Sequence, residues 1–135
     1  CARYGLGAGA HMGAALCLDA AGRDRYSTSG PTYAGGCAWD GTVALFLEIG
    51  GDDTYHLAQG DGPALADIGS WGAFVELSGD DTYELRDLPG RATRDAVVVF
   101  VDAAGCDRWT IASGRKMTNG VLSAEGGALR ADFSK

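Results

Sequence analysis

Six carboxylates stand in two matching groups: Glu48, Asp52 and Asp53 in EIGGDDTYHL, and Glu76, Asp80 and Asp81 in ELSGDDTYEL. Acids five residues apart around a glycine turn make an oxygen-rich donor set. Calcium takes such sets, because it wants about six to eight hard oxygens and accepts turn carbonyls beside carboxylates. If the two stretches lie side by side, Asp52, Asp53, Asp80 and Asp81 repel one another unless a cation or protons neutralise them. The alternative is structural, with each aspartate accepting hydrogen bonds from backbone amides of its own turn. Tyr55 and Tyr83, two residues after the second aspartate, either stack at the corner of a repeat or present ring faces to a sugar as a ligand-binding pair.

Other chemistry finds less footing. IGSWG at Ile68 to Gly72 lacks the first glycine of a nucleophile elbow. His11 and His56 lie in different repeats, and His56 occupies a slot held elsewhere by Ser27, Glu84 and Thr110, an ordinary exposed strand position. Cys1, Cys17, Cys37 and Cys106 have neither CxxC spacing nor a neighbouring histidine, which removes a zinc site. Cys17 reads as a buried thiol, with a Cys17 to Cys37 bridge as the alternative.

What positions the acids is a repeat. LCLDAAGRDRY (from Leu16), LFLEIGGDDTY (from Leu45), AFVELSGDDTY (from Ala73) and VFVDAAGCDRW (from Val99) share one pattern: apolar run, acid, two residues, glycine, any residue, aspartate, any residue, aromatic. Repeats fall at about 5–29, 30–61, 62–87 and 88–114, with a degenerate closing segment over 115–135, all in one domain of 135 residues. CARY at the start aligns with the end of a motif, and GGALRAD from Gly126 with the beginning of one. The first is expected of a module from a longer array or of a half-repeat cap, and the second of a degenerate closing repeat.

The GxDx-aromatic part of the motif resembles half of the calcium-binding GGxGxDxUx repeat of RTX proteins. The likeness covers about five residues per copy. It departs in the leading glycine pair and in the period of 26 to 29 residues. The resemblance implies aspartate ligands at Asp24, Asp53, Asp81 and Asp107.

The run before each acid is apolar at alternate positions on both parities. Leu18/Leu16, Leu47/Leu45, Val75/Ala73 and Val101/Val99 share one face; Cys17, Phe46, Phe74 and Phe100 share the other. Such a strand is expected to be buried on both sides, beneath a second layer or a partner. A shorter strand follows the motif, with one wet face. The chain is therefore expected to be all-β, a right-handed β-solenoid of about four coils, with Phe46, Phe74 and Phe100 as an internal ladder. Gly9, Ala38, Ala66 and Ala92 then form one column of small residues, and Gly13, Thr42, Ser70 and Ala96 another. The alternative is a set of β-hairpins, with acid-x-x-Gly as the turn, packed as an antiparallel barrel or sandwich.

A net charge of −7 argues against nucleic acid and anionic membrane as partners, and no apolar run is long enough to span a bilayer. Open coil ends and apolar strand faces favour self-association or contact with neighbouring repeats of a longer protein. The functional expectation is a non-catalytic extracellular or cell-surface module, a scaffold or binding element stabilised by calcium. The competing expectation is a small carbohydrate-active β-helix enzyme or glycan-binding module that uses some of these carboxylates.

Overall fold

In a β-strand, successive side chains point to opposite faces, so a repeated motif stacked in register builds columns of like residues. The computed structural model describes residues 4–57, 62–117, 123–125 and 127–133. Among them it contains strands and turns and no helix. Each repeat forms one coil of three strands. The first coil has β1 (Gly9–Ala10), β2 (Ala14–Asp19) and β3 (Arg25–Ser27). The second has β4 (Ala38–Trp39), β5 (Val43–Glu48) and β6 (Thr54–Leu57). The third has β7 (Leu65–Asp67), β8 (Trp71–Glu76) and β9 (Thr82–Leu85), and the fourth β10 (Arg91–Ala92), β11 (Val97–Asp102) and β12 (Arg108–Ile111). Closing the chain are β13 (Ser123–Glu125) and β14 (Ala128–Asp132).

Three sheets run along the coils, in the orders β1-β4-β7-β10, β13-β14-β11-β8-β5-β2 and β12-β9-β6-β3. All pairings between coils are parallel, and only β13 runs antiparallel, along the edge of β14. This is a β-solenoid of about four turns. The hairpin alternative does not form, because each acid-x-x-Gly turn passes the chain to a different sheet. Its glycine is required by the approach of successive coils. A Cβ at Gly79 would lie 1.7 Å from the Gly51 carbonyl oxygen, and one at Gly105 1.8 Å from that of Gly79.

Identical positions align as the repeat predicts. Gly9, Ala38, Ala66 and Ala92 share one column. Phe46, Phe74 and Phe100 share another, their rings stacked at 4.8 and 5.2 Å. A second ladder, Tyr26, Tyr55, Tyr83 and Trp109, stacks at 5.1, 4.8 and 3.9 Å. The ladders meet nearly at right angles, Phe46 against Tyr55 at 79° and Phe74 against Tyr83 at 67°, the edge-to-face arrangement aromatic rings prefer. Together they fill the interior. Arg130 occupies the next rung beyond Phe100 and donates to the Pro89 and Gly90 carbonyls.

The expectation that both faces of the long strand are buried is corrected. The interior takes the parity of Ala44, Phe46 and Glu48. The opposite parity forms the outside of the six-stranded sheet, where no second layer lies among the described residues; Leu16, Leu18, Val43 and Trp71 are 57 to 67% exposed. A coil this narrow is filled by one set of side chains. The other set stays outside whatever its polarity. The Cys17 to Cys37 bridge does not form either: Cys17 is a half-buried thiol, and the Cys37 thiol faces the Ala34 carbonyl.

Candidate metal centre

The acid that ends each long strand shares the parity of the phenylalanines, so it points inward. Asp19, Glu48, Glu76, Asp102 and Asp132 stand in register on five adjacent strands. Glu48, Glu76 and Asp102 are wholly buried, Asp132 almost so. Past the turn, Asp24, Asp53, Asp81 and Asp107 precede the aromatic ladder by two residues and enter the same corner. Two columns of carboxylates thus face each other inside the solenoid.

Part of this array is structural. The Oδ1 of Asp53 accepts the Asp24 backbone N–H at 2.6 Å, that of Asp81 accepts the Asp53 N–H at 2.6 Å, and that of Asp107 accepts the Asp81 N–H at 2.7 Å. Each inner aspartate therefore clasps the preceding coil. Asp52 and Asp80 lie on the exposed outside of the turn and reach the other way. Their Oδ1 atoms accept the N–H groups of Asp80 at 3.1 Å and Cys106 at 2.9 Å in the following coil. The amides bonded by all these side chains belong to neighbouring coils, where the sequence had pointed to the residue's own turn.

The remaining oxygens are orphaned. The Oδ2 atoms of Asp53, Asp81 and Asp107, both oxygens of Glu48 and of Asp102, and Oε2 of Glu76 are buried and accept no hydrogen bond. Beside them the Tyr55 hydroxyl and the Trp109 Nε1 donate none, and the Tyr83 hydroxyl approaches Asp102 without closing a hydrogen bond of normal geometry. Each buried polar group left in this state costs about 1–3 kcal/mol, and more where it carries charge. The first coil differs: Asp19 accepts the Tyr26 hydroxyl and the Ala20 N–H, both at 2.8 Å. The orphaned carboxylate oxygens named above thus belong to the second, third and fourth coils.

Two groups are tight. One oxygen from each of Glu76, Asp81 and Asp102 lies within 4.8 Å of the others, and so do oxygens of Asp102, Asp107 and Asp132. Asp102 belongs to both. Two unit charges at 4.8 Å repel by about 3.5 kcal/mol at an effective dielectric constant near 20, so three ionised carboxylates face roughly 10 kcal/mol of repulsion. That is comparable with the whole stability of a domain. Either protons or a cation must answer it. Burial first, then neighbouring carboxylates, push Glu76 and Asp102 well above the usual carboxylate range. Burial also pushes Asp81 up, against the Asp53 amide that lowers it. Burial raises Glu48 and Asp107 in the same direction. The donor set is all oxygen, which suits hard cations such as calcium, magnesium or manganese.

No family model, curated protein or solved structure matches this chain. The site therefore rests on its own geometry.

Of the residues singled out by sequence, Glu76 and Asp81 come together in a tight group. Glu48 and Asp53 sit in the same columns one coil earlier, and Asp52 and Asp80 stand outside. Tyr55 and Tyr83 are 0% exposed, and each has rings stacked on both faces, leaving no face for a sugar. Asp107, implied as a ligand by the RTX resemblance, stands in the second tight group, whereas Asp102 and Asp132 were not picked out as metal ligands from the sequence. Counting alternation through G-x-D-x-aromatic places the second aspartate on the aromatic's inward face, and that signal finds Asp107. The histidines pair away from the acid columns, His11 with the exposed Asp40 at 3.1 Å and His56 with Glu84 of the next coil.

Proposed function

We propose that this chain is a non-catalytic structural module of an extracellular or cell-surface protein. Its acid corner takes a hard divalent cation of the calcium class, and its body associates with further copies or with neighbouring repeats. The observation that carries the reading is the set of buried, orphaned carboxylate oxygens around Asp102, together with the tight groups it shares. A cation at Glu76, Asp81 and Asp102 would satisfy atoms that otherwise lose free energy on folding, linking metal to fold stability. The scaffold reading is favoured over a glycosidase because Glu48, Glu76 and Asp102 lie inside the coil, out of reach of a sugar. The exposed Asp52 and Asp80 are used to join coils. The charge of −7 fits a cation-rich exterior better than a polyanionic partner.

Terbium provides the test, because Tyr83 and Trp109 border the site and can sensitise its emission. Excitation of the aromatic band should give terbium luminescence that calcium displaces and that Asp102→Asn abolishes. Absence of sensitised emission, with no binding heat at millimolar calcium, would overturn the cation.

A further inference from the structure

The outer face of β2, β5, β8, β11 and β14 carries four columns of side chains, and none of these is polar. Each of the four coils contributes four positions, from Ala14 to Ala20 in the first coil, and β14 with the following Phe133 contributes three more. Pairing continues to the last column, where the Ile49, Leu77 and Phe133 amides bond the strand before. Across this face Leu16 is 67% exposed, Trp71 62%, Leu18 59% and Phe133 55%. Six steps of about 3.3 Å by five strands about 4.8 Å apart give roughly 450 Å² in projection. The accessible area is greater because the side chains stand proud. Large exposed patches on soluble monomers are about 300–600 Å² and usually bind something.

We propose that this face is a homodimer interface, in which two solenoids pack sheet against sheet. This deepens the association part of the proposed function and rests on it. Three properties of the face favour a second copy as the occupant. Two such faces together span roughly 900 Å² in projection and more as accessible area, which reaches the size of about 1,000 Å² that a specific protein pair needs. The face carries no charge, so two chains of −7 can meet there without opposing like charges in the contact. A flat sheet of apolar columns is also self-complementary under a two-fold axis, in the aligned packing with layers about 10 Å apart that joins sheets within domains.

Sedimentation velocity across a concentration series, at low and high salt, reads the assembly directly. The wild-type chain is expected to form a dimer that salt strengthens, since screening relieves the repulsion of the remaining charges. Leu16→Glu with Trp71→Glu places acids on two outward positions and should give a monomer with an unchanged β-sheet circular dichroism spectrum. A second measurement keeps the inference testable if that variant fails to fold. Leu18→Cys in a Cys106→Ser background should cross-link as a dimer under mild oxidation, whereas Thr110→Cys on the third sheet should not. An oligomer that survives the double variant and cross-links only through Thr110→Cys would overturn the face while leaving association itself intact. A wild-type monomer at every concentration would overturn both. A monomer that floats with phosphatidylcholine vesicles would overturn the dimer in favour of a lipid surface.

Discussion

Replacing Glu76 by glutamine separates a metal-linked corner from a merely crowded one, because its effect depends on both pH and calcium. Without a cation, the wild-type corner at pH 8 has two options. It can leave Glu76 ionised, facing Asp81 and Asp102 at about 3.5 kcal/mol each. It can also hold a proton on a carboxyl whose ordinary value is 4.5, at roughly 5 kcal/mol. The second costs less, and glutamine avoids it while keeping the oxygen that accepts the Ser78 N–H at 2.6 Å. In chelator at pH 8, Glu76→Gln should therefore gain as much as roughly 5 kcal/mol, which for a chain of this size is a melting increase of about 15–20 °C. At pH 5 the same calculation leaves under about 1 kcal/mol. The sign follows from linkage. The buried carboxyl binds its proton more tightly when folded, so wild-type stability is fully present below the unfolded value and drains as pH rises through the raised folded one. Calcium at a hundred times its dissociation constant restores about 2.7 kcal/mol to the wild type and less to the variant, narrowing the gap. Differential scanning calorimetry at pH 5 and 8, with chelator and with calcium, reads all four conditions. A variant that melts lower than wild type in chelator at pH 8, or a calcium shift equal in both proteins, would refute the reasoning.

Phe74→Ala removes a ring stacked on both faces and should cost about 3–5 kcal/mol by urea denaturation. Gly79→Ala puts a methyl group 1.7 Å from the Gly51 carbonyl and should abolish folded protein as judged by soluble yield and circular dichroism. Asp53→Ala leaves the Asp24 amide without its acceptor and should cost about 1–3 kcal/mol. Asp52→Ala, on the exposed side, should cost about 1 kcal/mol or less by the same urea measurement. Asp67 is held down to about 2, chiefly by its bond to Arg94, so its contribution is present above the ordinary 3.8 and lost as pH falls through about 2. Arg94→Ala should therefore move the midpoint of acid unfolding upward.

Much of the fold could be read from the chain because parallel stacking aligns equal positions, and a period near 28 residues is the imprint of that alignment. Phe46, Phe74 and Phe100 were legible as a ladder, and Tyr26, Tyr55, Tyr83 and Trp109 as a stack, for this reason. The inner face was harder. Leu45 and Phe46 are both apolar, and the acid that shares Phe46's parity is a residue that ordinarily marks the outside. The candidate site was half legible for the same reason. The paired aspartates drew attention to Asp52 and Asp80, whereas the tight groups form where Glu76, Asp81 and Asp102 converge. Asp132 was hidden because its copy lacks the turn glycine, and only strand pairing with Asp102 brings it into the column.

The two opposed aspartate clasps give the turns a grammar. A GDD turn grips the coil behind it with one side chain and the coil ahead with the other. GRD in the first coil and GCD in the fourth lack the forward-reaching acid and keep only the backward one. A solenoid of this kind can be lengthened by duplicating a middle coil whole, each added turn meeting neighbours it already fits. A GRD or GCD turn put in place of a GDD turn would leave one forward joint unmade.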